Sequence, residues 1–216
     1  MTILIVAAHP DDEVLGCGGT IAKLASQGAE VATLIMTNGE PSRNENIQLQ
    51  ANNASDILGS LSPRILDFPD QRLDCVPMQE IAAAVRNAVI DYEPEIVYTH
   101  FAGDLNKDHR LVFEATAIAT RPTKRHRVRK LYSYHIPSST EWAFGQLGTF
   151  TPNVFVGIAG KPLDSKRQAM SQYTKEYMEF PHPRSPEALF AIASSWGSVA
   201  GLLAAEAFVL VRDIDG

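Results

Sequence analysis

Six consecutive apolar residues, Ile3-Leu4-Ile5-Val6-Ala7-Ala8, open this chain and leave no polar face. A strand with that pattern has to be covered on both sides, as strands are inside a parallel sheet flanked by helices. The same alternation repeats downstream. Apolar runs at 2–8, 30–36, 64–68 and 96–99 read as strands, and amphipathic stretches at 12–27, 44–58, 76–92 and 108–120 read as helices. The C-terminal part is more mixed, with strands expected at 131–136, 153–157 and 207–212 and helices at 163–173 and 186–205. No linker, repeat or low-complexity tract interrupts the 216 residues. The pattern predicts a single α/β domain over 1–216, a Rossmann-like, mostly parallel sheet with helices on both faces.

In open sheets of this kind, ligands collect beyond the carboxyl ends of the strands. Two segments there carry unusual chemistry. Ala8-His9-Pro10-Asp11-Asp12-Glu13 places a histidine and three acids directly after the first strand. Adjacent carboxylates repel one another unless a cation or a helix N-terminus offsets them. His9 and Asp12 lie three positions apart across a turn and can aim at one ion, with Asp11 between them facing the crevice. The second segment, Asp104-Leu105-Asn106-Lys107-Asp108-His109-Arg110, sits where the loop after the fourth strand meets a helix. A lone histidine at a helix start is usually structural. On the same sheet edge as His9 and Asp12, His109 instead completes two imidazoles and a carboxylate with a position left for water, the usual form of a catalytic zinc site. The same donors also suit iron, manganese, cobalt or nickel.

These two segments together resemble the PIG-L/LmbE-like deacetylases, zinc enzymes acting on molecules that bear N-acetylglucosamine. The likeness extends to Thr37-Asn38-Gly39-Glu40, Leu58-Gly59, Phe68-Pro69-Asp70 and Ala204-Ala205-Glu206-Ala207-Phe208. The resemblance implies the LmbE-like fold, His9, Asp12 and His109 as ligands of Zn2+, and Asp11 as general base. It implies removal of an N-acyl group, acetyl first, from an amino-sugar substrate. An amidase acting on a larger acyl or thiol conjugate, or a non-catalytic sugar-binding relative, are the alternatives. Some members carry an oxyanion-stabilising histidine three residues before the last ligand; this chain has Asn106 there. His182, in Phe180-Pro181-His182-Pro183-Arg184-Ser185, is the expected substitute, and His100 at the end of the fourth strand is the competitor or a substrate contact. Arg43, Asp70 and Arg72 follow strands and are expected to bind substrate, Asp70 through sugar hydroxyls. Asp104 and Asp108 are expected to orient a ligand histidine or Arg110. Trp142 either stacks on a sugar or packs internally.

Composition narrows the partners. A formal charge of −6 does not suit a nucleic-acid surface. The basic run Lys124-Arg125-His126-Arg127-Val128-Arg129-Lys130 is short, and a solvated loop or a contact with an anionic substrate group explains it. Two cysteines, Cys17 and Cys75, form neither a disulfide framework nor a CxxC pair, and reduced thiols suit a cytoplasmic protein. The opening apolar run is too short for a leader or a membrane span, so no membrane insertion is expected. A homo-oligomer is possible if His182 serves a neighbouring subunit's site. A nucleotide-binding enzyme is the rival suggested by Gly16, Gly18 and Gly19, but no GxGxxG follows the first strand and acids occupy the turn where a pyrophosphate would sit.

Overall fold

The computed structural model describes residues 1–39, 46–123 and 128–215. Arg43, Glu40, the start of the helix expected from residue 44 and positions 124–127 of the basic run lie outside the described residues. Seven strands form one sheet: β1 (Thr2–Ala7), β2 (Glu30–Thr37), β3 (Arg64–Phe68), β4 (Ile96–His100), β5 (Lys130–Tyr134), β6 (Val154–Gly157) and β7 (Ala205–Asp213). Their order is β3-β2-β1-β4-β5-β7-β6. The first five are parallel, whereas β7 runs antiparallel to both β5 and β6.

The uninterrupted apolar run of β1 is explained by its position. Ile3 and Ile5 project into a core shared with α1 (Asp12–Ser26), α2 (Ile47–Leu58), α5 (Lys161–Met170) and the start of α6 (Pro186–Val199). Leu4 and Val6 project into the opposite core, against α3 (Met78–Tyr92) and α4 (Lys107–Ala119). Each fully buried aliphatic side chain of this kind contributes about 1.5–3 kcal/mol. The sequence run 200–205 continues a helical pattern, yet α6 ends at Val199. Gly201 adopts a φ of 70°, with Gly201 N–H reaching Ser198 O at 3.4 Å and Leu202 N–H reaching Gly197 O at 2.8 Å. That paired closure ends a helix and turns the chain into β7.

The chain winds from β1 outward to β3, then returns to begin β4 on the other side of β1. This reversal opens a crevice between the carboxyl ends of β1 and β4, and the two chemistry-bearing segments emerge there. α1, which begins in that crevice, is pressed close to its neighbours. A Cβ on Gly16 would lie 2.5 Å from the Tyr134 ring, and one on Gly19 would lie 2.7 Å from Ile158. These glycines admit close packing, which removes the case for a phosphate-binding loop.

α1 is also clamped from the far end of the chain. Glu206 on β7 accepts from Gly19 N–H at 3.0 Å and Thr20 N–H at 2.7 Å, while Lys166 on α5 donates to Leu15 O at 2.7 Å and to Glu206 at 2.5 Å. Both side chains are buried. No helix among the described residues is long and apolar enough to cross a membrane.

Removing one partner of a buried ion pair strands the other charge, at about 3–5 kcal/mol. Glu206→Ala is therefore expected to destabilise the chain by about that amount in urea denaturation. A loss below about 1 kcal/mol, the range of an exposed pair, would show that the clamp does not hold α1.

Candidate active site

The turn between β1 and α1 is strained where the chemistry lies. Asp11 has a φ of 106° and ψ of −29°, a left-handed conformation that costs a non-glycine residue on the order of 1–3 kcal/mol. Its carbonyl accepts from Val14 N–H at 3.0 Å and Leu15 N–H at 2.9 Å, and its N–H donates to Glu13 at 3.1 Å. Glu13 in turn accepts from the Tyr173 hydroxyl at 2.5 Å. Asp12 folds back to accept from His9 N–H at 2.9 Å.

The result is convergence of three donor atoms. His9 Nδ1 lies 3.2 Å from Asp12 Oδ2, His109 Nε2 lies 3.3 Å from the same oxygen, and the two imidazole nitrogens are 3.3 Å apart. Ligand bonds of about 2.0–2.2 Å in tetrahedral array would put donor atoms about 3.3–3.6 Å apart. The spacing fits a small divalent cation.

Neighbouring carboxylates aim the lone pairs. Asp108 Oδ2 stands 3.2 Å from His9 Nε2, and Asp108 Oδ1 accepts from Leu73 N–H at 3.1 Å. Asp104 Oδ1 stands 3.1 Å from His109 Nδ1. The Asp108 hydrogen bond favours the proton on the outer nitrogen of His9, and the nearby Asp104 charge favours the same at His109, so the inner lone pairs turn toward Asp12 when the rings are neutral, as at many histidine metal sites. With both rings neutral, as metal binding requires, two lone pairs and a carboxylate oxygen in mutual contact repel unless a cation joins them. His9, Asp12 and His109 thus fit a metal ion by their spacing and by the chemistry of the donor set.

Titration behaviour reflects the same field. Burial alone would lower His9, but the carboxylates of Asp108 and Asp12 push it up to about 10. Burial opposes ionisation of Asp12, and the imidazoles of His109 and His100 nevertheless hold it well below the usual carboxylate range. Asp11 behaves oppositely: burial raises its carboxyl well above that range, although Arg184 pulls it down. Burial also pushes Glu13 up to about 7, against the Tyr173 hydrogen bond. Adjacent acids in one turn are driven apart by their surroundings.

The other expected residues divide clearly. Asp70 comes within 3.3 Å of His9 Nε2, and the Gln71 amide nitrogen within 3.1 Å. A second grouping, His9 with Asp70 and Asp108, shares that nitrogen. Asn106 caps α4, its Oδ1 accepting from Asp108 N–H at 2.8 Å while its Nδ2 donates to Gln71 at 3.1 Å. Arg110 donates to the Asp104 and Leu105 carbonyls at 2.6 and 2.7 Å and so ties the loop backbone. Arg72 is exposed.

His100 departs from the expectation of a substrate contact. It is fully buried, accepts from Ala8 N–H at 2.8 Å and stacks on the His109 ring at a centroid separation of 4.0 Å. Burial and the neighbouring His109 lower its pKa, so it is a neutral support behind a candidate ligand. His182 is half-buried, with its ring edge-on to Trp142 at 5.8 Å and its Nδ1 accepting from Arg184 N–H at 3.2 Å. From that segment it is Arg184 that reaches the acids: its Nη1 donates to Asp11 Oδ2 at 2.8 Å and to Glu176 at 2.7 Å. Sequence reasoning missed Arg184, Tyr173 and Gln71, and also Ser139 and Thr140, whose hydroxyls donate to Asp104. The only signals available were the hydroxyl run Ser138-Ser139-Thr140 and an arginine beside two prolines.

Comparison with known proteins shows the family. Residues 4–120 match the family described as PIG-L: GlcNAc-PI de-N-acetylase, and the chain belongs to that family. It is 30% identical over 177 residues to the uncharacterized deacetylase YaiS of Escherichia coli (strain K12), covering 79% of this chain and 89% of the relative. The diacetylchitobiose deacetylase of Thermococcus kodakarensis is 29% identical over 235 residues, 98% of this chain and 84% of that protein. Among solved structures, the conserved protein TT1542 from Thermus thermophilus superposes with a TM-score of 0.79 at 27% identity, covering 99% of this chain and 96% of that one.

Because His9 holds its proton up to about pH 10, a metal ion entering the triad must displace it. Metal affinity is expected to rise by about tenfold per pH unit between about pH 7 and 9, with a proton released on binding. Chelator competition across that range checks this, and an affinity independent of pH would show that binding displaces no proton from His9.

Proposed function

We propose that this protein is a metal-dependent amidohydrolase that removes an N-acyl group, acetyl first among them, from a small amino-sugar substrate. The observation that carries the reading is the convergence of His9 Nδ1, Asp12 Oδ2 and His109 Nε2 at 3.2–3.3 Å, with the buried Asp11 one residue away. The names of relatives such as diacetylchitobiose deacetylase support the substrate class. Zinc is the metal we assign, since two nitrogens and one oxygen at tetrahedral spacing suit it.

When bound, the ion polarises the acyl carbonyl and lowers the pKa of a water molecule from about 15.7 toward 7. Asp11 is the general base of the reading. Arg184 occupies its Oδ2, which leaves Oδ1 to take the proton of the attacking water. Burial raises the carboxyl above its ordinary range and brings its basicity closer to working pH, as general-base catalysis requires. The protonated carboxyl then returns that proton to the departing nitrogen. Arg184 N–H donates to His182 Nδ1, which fixes the ring proton on Nε2 and makes that atom a donor suited to the developing oxyanion. Asn106 is the weaker candidate because its Nδ2 is already held by Gln71. Asp70, beside His9, is assigned to sugar hydroxyls. Free Cys17 and Cys75 support a reducing, cytoplasmic setting.

Metal-loaded protein against a panel of N-acylated amino sugars, with released acid quantified, tests the reading directly. Acetate should appear in preference to longer acids. Asp11→Asn should keep the metal and lose about 10²–10⁴-fold in kcat, the usual worth of a general base. Turnover at the native rate in that variant would remove Asp11 from the mechanism.

A further inference from the structure

Three hydroxyl residues in a row, Ser138-Ser139-Thr140, follow β5 and stand one side chain away from the proposed base and from one proposed ligand. The turn they form is pinned. Ser138 takes a left-handed φ of 70°, and its N–H donates to Glu141 at 2.6 Å. Ser139 and Thr140 N–H groups both reach Ile136 O, at 3.2 and 3.0 Å, and Ile136 N–H returns to Thr140 Oγ1 at 2.9 Å.

From this turn the side chains diverge. Ser138 Oγ accepts from Arg184 Nε at 2.8 Å, and Arg184 Nη1 holds Asp11 Oδ2 at 2.8 Å. In the other direction, Ser139 Oγ and Thr140 Oγ1 donate to the two oxygens of Asp104, the latter at 2.6 Å, and Asn106 N–H adds a further bond at 2.8 Å. Asp104 is fully buried and faces His109 Nδ1 at 3.1 Å.

We propose that the turn 138–140 positions both halves of the site, fixing His109 through Asp104 and fixing Asp11 through Arg184; the second arm rests on the hydrolase reading. A carboxylate with donors on both oxygens cannot rotate, so Asp104 presents one fixed acceptor to the His109 ring. A planar guanidinium held at Nε by Ser138 and at Nη1 by Asp11 and Glu176 has one orientation available, and it transmits that orientation to the Asp11 carboxylate. One backbone turn thereby sets ligand direction and base direction together. Because the arms leave it separately, mutation can separate them. These are positioning residues, and none of them needs to touch substrate.

The ligand arm is read by zinc affinity in chelator competition, without turnover. Thr140→Val keeps the shape but loses the hydroxyl, and is expected to weaken zinc binding about 10–100-fold. Thr140→Ser keeps the hydroxyl and should bind zinc as the native chain does. The base arm is read by kinetics. Arg184→Met should keep native zinc affinity and KM while kcat falls about 100-fold, the cost of a misplaced reacting group. If Arg184→Met does not fold, Ser138→Ala reads the same arm through a smaller fall in kcat. Native zinc affinity in Thr140→Val, or equal weakening in Thr140→Ser, overturns the ligand arm. Native kcat with a raised KM in Arg184→Met (or native kcat in Ser138→Ala) overturns the base arm and leaves the hydrolase reading standing. A native chain that binds zinc yet hydrolyses no amide strikes the hydrolase reading and the base arm with it, while the affinity comparison still decides the ligand arm.

Discussion

Three adjacent buried carboxylates, Asp11, Asp12 and Glu13, have to coexist in one turn, and the rest of the site is arranged around their compensation. Each receives a different counterpart. Asp11 meets the Arg184 guanidinium, Asp12 meets two imidazoles, and Glu13 meets a tyrosine hydroxyl. These unequal environments separate the acids chemically: burial outweighs Arg184 at Asp11 and the tyrosine hydroxyl at Glu13 and raises both, whereas the imidazoles outweigh burial at Asp12 and hold it ionised. A row of carboxylates becomes a base candidate, a ligand candidate and a backbone brace. Glu13, the brace, holds the N–H of Asp11 in a strained conformation and so helps aim the proposed base.

The fold supplies what the turn alone cannot. The chain's reversal at β1 and β4 delivers His9 and His109 to one crevice although a hundred positions separate them. α1 then has to be held firmly, since it begins at Asp12. Its glycines let it sit against Tyr134 and Ile158, and the Lys166–Glu206 pair grips its middle from α5 and β7. The C-terminal third of the chain thus contributes mainly rigidity, together with Arg184. The residues matched by the family, 4–120, contain the entire proposed triad.

Much of this was legible in the residues. Strand and helix alternation was readable because buried parallel strands are apolar at every position, and β1 through α4 follow the expected bounds closely. His9, Asp12 and His109 stood out because acids and histidines at strand ends have few structural uses. What pattern could not show is which side chain of a segment turns inward. His182 stands out in its proline-flanked stretch, and nothing in the pattern shows that Arg184, two residues on, is the side chain of that stretch that reaches Asp11. Asn106 stands where some family members carry the oxyanion-stabilising histidine, and an asparagine before a helix readily caps it, as it does here. His100 ends a central strand, so its ring points into protein rather than the crevice mouth. Long-range hydroxyl contacts such as those of Ser139 and Thr140 leave no periodic trace at all.

The central claim is that His9 Nδ1, Asp12 Oδ2 and His109 Nε2 grip one cation. A crystal structure of the zinc-loaded chain with anomalous data at the metal edge tests it most directly. The account predicts a single strong peak about 2.0–2.2 Å from those three atoms. A peak on the other side of the His9 ring, bound through Nε2 with Asp70 and Asp108, would contradict it.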